Sequence, residues 1–336
     1  MTDVTQIVLA KRPVGDVTAD CFREETATLP PLADGQLLIR SRFLSLDPYM
    51  RPRMSELRSY VPPFEIDKPL TGGSVGEVVE SKNPRYAKGD IVMGLLNWAT
   101  YTVHDGKGLR SIDPKMAPLQ AHLGVLGMPG TTAYSGMKDI GQVKAGETVV
   151  ISAASGAVGS VAGQLAKRAG ARVVGIAGGP DKCLWVQETL RFDDCVDHRV
   201  AHLQQAIGNA CPGGIDVYFE NVGGAVQEAV VPLLNPFARM VMCGMVSQYN
   251  DDRFAPGPNL GFVVGKRVRI EGLIVSDKPE RFAEWRALAS PWVKEGSLHY
   301  RETVIDGLEN APEALAVLLR GGNFGKMLVR VGPDPA

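Results

Sequence analysis

The stretch from Val149 to Gly179, VVISAASGAVGSVAGQLAKRAGARVVGIAGG, restricts the folds open to this chain more than any other segment. A continuous apolar run breaks into small residues and resumes with apolar residues at helical spacing. A second apolar run then stops at Gly178-Gly179. The pattern predicts a strand, a tight turn, a helix and a second strand. Small residues recur in the turn at Ala153, Gly156 and Gly159, with Ala157 and Val158 between the glycines. At the start of such a helix, unpaired backbone N–H groups and the positive end of the helix dipole attract a dinucleotide pyrophosphate. A bare Gly156 lets the backbone approach that ligand, and a bare Gly159 lets the helix close on the strand. Tight packing alone also calls for small residues. The flanking strand and helix, with a second strand arriving roughly 20 residues on, favour dinucleotide binding.

The far end of the stretch bears on which dinucleotide. NAD-binding turns carry an Asp or Glu at the end of the second strand, where it accepts hydrogen bonds from ribose hydroxyls. Here the strand ends in Gly178-Gly179, followed by PDKC. A carboxylate at that point would repel a 2′-phosphate. Its absence, with Lys182 just beyond, favours NADPH. Lys182 also reads as a solvated lysine on the next helix, with Asp181 beside it tempering the charge.

Strand and helix alternate beyond 148, with strands at 148–153, 172–177, 195–196, 216–220 and 238–244 and helices at 158–168, 181–190, 203–210 and 227–234. Such alternation predicts a doubly wound parallel α/β sheet of Rossmann type. VRIEGLIVS adds a strand, and a helix is expected over 131–139. The first third reads instead as strands punctuated by glycine, a β-rich domain resembling a small GroES-like barrel. The tail reads as a helix, a turn and a strand that folds back onto it. With 336 residues two domains are expected. We place them at 1–126 and 127–294, with 295–336 returning to the first.

Net charge is −1 and charged residues make up 22% of the chain, so nothing drives nucleic-acid backbone binding. No apolar run approaches roughly 18 residues, which argues against a membrane span. MTDVTQIVLAKRPVG reads as a first strand and not as a signal peptide. The five cysteines are scattered and never spaced as CxxC, which suits a reducing, cytoplasmic setting.

A β-rich domain, a dinucleotide domain and a returning tail form the layout of the medium-chain dehydrogenases/reductases. Its zinc alcohol dehydrogenases need an early thiolate and a Gly-His-Glu motif as metal ligands. This chain has LSLDPYM and LTGGSVGEV in those places, so no metal site is expected. SLDPYMR (45–51), GVLGMPGTTAY (124–134), AASGAVGSVAGQLAK (153–167), ENVGG (220–224), CGMVSQYN (243–250) and GGNFGK (321–326) together resemble the leukotriene-dehydrogenase/prostaglandin-reductase family. Within it the chain most resembles bacterial NADPH-dependent curcumin reductases and plant double-bond reductases. The resemblance implies NADPH-dependent reduction of the carbon–carbon double bond in α,β-unsaturated ketones and aldehydes. It also implies a homodimer joined through the dinucleotide domains.

Residue by residue, the resemblance implies pyrophosphate contact at Gly156–Gly159 and 2′-phosphate contact at Lys182. His198 stands where the family often has tyrosine, so it is either an aromatic and hydrogen-bonding contact to that phosphate, with Arg199 as a further contributor, or an exposed loop residue. Asn221, Cys243, Gly244, Ser247 and Tyr249 match segments lining the ribose and nicotinamide, and Asn323 a contact from the tail. Hydride addition to an enone leaves charge on the carbonyl oxygen, and a hydroxyl aimed there lowers the barrier. Tyr249 is the first candidate for that donor, with a bare closing role over the ribose as its alternative. Tyr49 is the second, or else a buried barrel tyrosine. Asp47 reads as turn chemistry before Pro48. A quinone oxidoreductase and a non-catalytic NADPH-binding protein are the competing readings.

Overall fold

The apolar stretch that opens the nucleotide motif becomes a central strand. In the computed structural model, which describes residues 2–56, 59–251 and 256–332, the chain divides into two units. One is Gly124–Arg301; the other joins Met1–Leu123 to Glu302–Ala336.

Unit Gly124–Arg301 is built on six strands, all paired in parallel. From one edge to the other they run Asp194–Asp197, Arg172–Ala177, Thr148–Ser152, Ile215–Glu220, Leu234–Met242 and Arg269–Gly272. Numbered along the chain, that order is 3-2-1-4-5-6, and it reverses between Thr148–Ser152 and Ile215–Glu220. Ligands of such sheets bind at that reversal, outside the carboxyl ends of the strands. The two central strands read as unbroken apolar runs because both faces are covered. Val149, Val150, Ile151, Val217, Tyr218 and Phe219 are fully buried. On one face Val150, Val174, Tyr218 and Met240 pack against Ile207, Val226 and Val230 from the crossover helices. Trp285, from helix Glu280–Lys294, is also fully buried and donates its indole N–H to Val125 O at 2.7 Å.

Three stretches depart from expectation. The helix expected over 227–234 instead runs Gly224–Val230, and the strand expected over 238–244 begins earlier, as Leu234–Met242. The helix expected over 131–139 starts earlier, as Met128–Ser135, and continues as a π-helical turn, Gly136–Gly141. Gly136 packs there against the Phe219 ring, where a Cβ would lie 2.6 Å from a ring carbon. The strand expected from VRIEGLIVS shortens to Arg269–Gly272, an exposed edge strand, because the chain then turns into a 3-10 segment at Val275–Asp277.

The other unit holds a seven-stranded mixed sheet and a two-stranded ribbon, Thr2–Leu9 with Phe22–Leu29. The sheet runs Glu302–Asp306, Lys326–Arg330, Leu37–Ser45, Thr71–Ser81, Ile91–Asn97, Arg110–Ser111, and Tyr101–His104 pairs with Leu37–Ser45 off that path. The tail therefore enters the sheet of the first third, with Leu328 opposite Ser45. Its two strands are parallel and set Lys326 opposite Glu302. The core here gathers Leu9, Leu44, Leu46, Met50, Trp98 and Leu315, with Tyr49 packed against it.

Candidate functional site

The turn after Thr148–Ser152 shows why each small residue is needed. Ala153 takes a left-handed conformation, φ +49°, which costs a non-glycine residue about 1 kcal/mol. Its carbonyl accepts the Gly156 N–H at 2.9 Å and lies under the helix start. A Cβ on Gly159 would stand 2.4 Å from Ala153 O and 3.1 Å from Ala154 Cα, so helix Gly159–Arg168 sits against the strand only with glycine there. A Cβ on Gly156 would meet Ala153 O at 3.1 Å and little else. Gly156, Ala157 and Val158 are half-buried and lead into the helix N-terminus. That is a cradle a side chain would fill and an anion can approach.

Beside it, the end of strand Arg172–Ala177 collects cations. Gly179 lies at φ +95° and starts helix Pro180–Glu188. A Cβ on Gly178 would lie 2.9 Å from His198 Nε2 and 3.5 Å from Arg199 Nη2, and one on Gly179 would lie 3.1 Å from Arg199 Nη1. Burial, and then the nearby Arg199 charge, push the Lys182 ammonium below the ordinary lysine range. Two positive groups within electrostatic reach of each other, over a backbone stripped of Cβ atoms, make a place suited to a dianion. A carboxylate is present after all. Asp197 Oδ1 accepts the Gly179 and Arg199 backbone N–H groups, both at 3.0 Å, so it is spent on the turn. Arg199 and Asp197 come from the third strand and its exit, and only strand pairing brings them to the second.

At the strand-order reversal a buried carboxylate organises the loops. Glu220, fully buried, accepts the Tyr218 hydroxyl at 2.7 Å, the Ser152 hydroxyl at 2.8 Å and the Val222 N–H at 2.6 Å. Ser152 Oγ accepts the Asn221 N–H at 2.7 Å, and Asn221 Nδ2 donates to Ser152 O at 2.7 Å. The Glu220 carbonyl takes the N–H groups of Cys243 and Gly244, at 2.9 and 3.1 Å. Ser247 donates from its N–H to Val222 O at 3.0 Å and from its hydroxyl at 2.6 Å. The loops after the fourth and fifth strands are thus laced together, with Asn221, Cys243, Gly244 and Ser247 along the seam. The Tyr249 phenol oxygen accepts the Met245 N–H at 3.3 Å, and a Cβ on Gly244 would stand 3.1 Å from it. Burial, with the Glu220 charge, pushes the Cys243 thiol up to about 12, so it stays protonated. Ser152, Tyr218 and Glu220 escape sequence reasoning because polar residues ending apolar strands look like ordinary strand exits.

In the other unit, Tyr49 caps the short helix Met50–Arg53. Burial, and then the Asp47 charge, push its phenol above the ordinary range. Asp47 does more than start a turn. It is almost fully buried, accepts the Ser45 hydroxyl, and pairs with Lys326 Nζ at 3.0 Å. Lys326, equally buried, also donates to Leu46 O and Met327 O. The ion pair therefore ties SLDPYM to GGNFGK. Asn323 donates to Gly325 O at 2.6 Å and so shapes its own turn.

Glu302 stands beside this pair, and burial, opposed by Lys326 and a Gln120 hydrogen bond, raises its carboxyl to about 7. A carboxyl with a folded-state value above its ordinary 4.5 favours the fold while protonated. Its contribution is complete below 4.5 and is lost as pH rises through about 7. Glu302→Gln is expected to flatten the fall in Tm between those two pH values, as read by thermal melts across the series.

Among the described residues no group of three or more His, Cys, Asp or Glu side chains is placed to hold a metal ion, and no helix is long and apolar enough to cross a membrane. Two family models match the chain: an N-terminal domain of oxidoreductase over residues 5–112 and a zinc-binding dehydrogenase over 157–295. The NADPH-dependent curcumin reductase of Escherichia coli is 47% identical over 333 residues, covering 97% of this chain and 96% of that protein. The chain belongs to the medium-chain dehydrogenase/reductase family, with the prostaglandin and curcumin reductases. Prostaglandin reductase 1 of Rattus norvegicus is 40% identical over 329 residues, 96% of this chain and 97% of that one. The crystal structure of CurA in complex with NADPH from Vibrio vulnificus superposes with a TM-score of 0.94 at 45% identity, covering 98% of this chain and 100% of that one. Quinone oxidoreductase of Escherichia coli, at 19% identity and a TM-score of 0.79, shares the fold.

Proposed function

We propose that this protein is an NADPH-dependent reductase of the carbon–carbon double bond in α,β-unsaturated ketones and aldehydes. The observation that carries the reading is the near full-length likeness to the curcumin reductase, on a chain that keeps the glycine cradle and the cation cluster beside it. Gly156–Gly159 would receive the pyrophosphate, and Lys182, with His198 and Arg199, the 2′-phosphate. Asn221, Cys243, Gly244 and Ser247 line the reversal point where the nicotinamide end would lie, and Gly178 keeps the ribose edge clear. Asn323 serves by holding its turn.

When bound, NADPH supplies hydride to the β-carbon of the activated alkene. The chain's task is then to hold the substrate at near-attack distance and to stabilise the charge that grows on the carbonyl oxygen. Tyr249 is the hydroxyl we assign to that oxygen. Its phenol oxygen accepts the Met245 N–H, which keeps it at the loop after the fifth strand. Tyr49, kept protonated by burial, is the second candidate hydroxyl.

The five free cysteines suit a reducing cytoplasm. A homodimer is supported by the edge strand Arg269–Gly272, exposed at all four residues, and by Leu260 and Val264 nearby, 64% and 80% exposed. Light scattering at twice the chain mass checks it.

The deciding experiment follows loss of reduced-nicotinamide absorbance with an enone and with a quinone. Turnover of the enone at the higher kcat/KM is expected. Preference for the quinone, or no turnover with tight NADPH binding, replaces this reading with one of its competitors. Tyr249→Phe is expected to lower kcat by roughly 10²-fold while leaving NADPH affinity in place, the loss typical of one oxyanion donor.

A further inference from the structure

Glu220 ends strand Ile215–Glu220, where the strand order reverses, and it is sealed from solvent. The next residues, Asn221 and Val222, are only half-buried. So are Cys243 and Gly244, whose N–H groups bond the Glu220 carbonyl. The three donors to its carboxylate are neutral: the Ser152 hydroxyl at 2.8 Å, the Val222 N–H at 2.6 Å and the Tyr218 hydroxyl at 2.7 Å. Among the described residues no ion pair includes it. A buried carboxylate is ordinarily paired with a cation, because burial strips the charge of its hydration. The hydrogen bonds do not call for that charge. Ser152 and Val222 both donate to Oε1, and a glutamine carbonyl would receive them equally well. Its amide would then donate to the Tyr218 phenol oxygen. The loops need an acceptor here, and the negative sign is left over.

We propose that Glu220 is the fixed counter-charge for the oxidised nicotinamide ring, favouring hydride release by stabilising the positive ring of NADP+. The inference rests on the reading of the reversal point as the nicotinamide end. Hydride carries two electrons from the ring to the β-carbon of the alkene. The ring passes from neutral to +1, and the acceptor gains the −1 charge of an enolate. A carboxylate already held in place, in an interior poor in water, stabilises the ring charge with no reorganisation. The protein without ligand bears the cost of the unpaired charge, and the oxidised cofactor relieves it.

Neighbouring groups register the same field. After burial, the Glu220 charge is the next cause that holds the Tyr218 phenol and the Cys243 thiol above their ordinary ranges. It is thus felt on the loop after the fifth strand, next to Gly244. A Cβ on Gly244 would stand 3.4 Å from Asn221 O, so the two half-buried loops lie close together over the carboxylate's strand end.

NADP+ and NADPH differ only in the hydride and charge of the ring, so the ratio of their dissociation constants isolates that charge. Calorimetric titration of the purified full chain with each nucleotide, and no enone present, measures it. Glu220→Gln is expected to weaken NADP+ about tenfold relative to NADPH, with NADPH itself held within about twofold. The Tm of the ligand-free variant is expected to equal or exceed that of the parent. A merely structural role would weaken both nucleotides alike and lower Tm. Tyr218→Phe removes one hydrogen bond and keeps the charge, so the ratio is expected to stay in place. A ratio unmoved in Glu220→Gln, or moved as far by Tyr218→Phe, overturns the proposal. A Glu220→Gln chain that no longer folds overturns it too, since the charge would then serve the fold. Binding of neither nucleotide to the parent chain would remove the nicotinamide reading itself, a separate result from an unmoved ratio.

Discussion

Lys182→Ala raises KM for NADPH by roughly 10- to 100-fold and leaves KM for NADH within about twofold, the span expected when one charge-assisted hydrogen bond to a phosphate is lost. The sign follows from the surroundings. Burial and Arg199 both work against the Lys182 charge in the protein without ligand. A dianion at Gly178-Gly179 reverses that penalty, so the lysine binds phosphate more favourably than an exposed one would. NADH has no such group and loses nothing. Steady-state kinetics with both nicotinamides decide the matter. Equal losses with the two would place Lys182 in the general architecture of the turn, and no loss with either would remove it from the site. Arg199→Ala is expected to move KM for NADPH in the same direction by less, because its side chain is exposed and more fully screened.

The second large effect lies in the other unit. Lys326→Met is expected to lower stability by about 3–5 kcal/mol, because it leaves the Asp47 carboxylate buried without its cation. The loss grows as pH rises, since Glu302 shares the neighbourhood and its carboxyl deprotonates near 7. Asp47→Ala is milder. Glu302 already feels the Lys326 charge and stands opposite it across the parallel pair, so it can take over as the counter-ion. Lys326→Met combined with Asp47→Asn recovers most of the loss, as expected when a pair is replaced and not halved. Thermal melts of the three variants at two pH values measure this. Equal destabilisation by both single changes would mean that Glu302 does not exchange roles with Asp47.

The two predictions differ in how much of their basis is visible along the chain. Gly156, Gly159, Gly178 and Lys182 could be named from residue order alone, because a strand-turn-helix nucleotide motif is local and its demands fall within about 30 residues. The alternation that implies a parallel sheet is local too. Arg199 and Asp197 were harder. They reach the turn only because the third strand pairs beside the second, with Asp197 in register with Ala177. Glu220 was hidden for a related reason. A carboxylate after an apolar run looks like an exit to solvent, whereas here two hydroxyls and a backbone N–H enclose it. Along the chain Asp47 shows only a turn residue, since its partner lies 279 positions away.

Residue order by itself determined the Rossmann unit, its glycine turn, the family and the preference for a phosphorylated nicotinamide. Each of these depends on spacing within one strand and the helix that follows it. The tertiary structure alone decided which charged groups meet: Asp47 with Lys326, Glu302 beside them, Lys182 near Arg199. Sheet register and strand order set those meetings, and they join segments whose local patterns carry no record of one another.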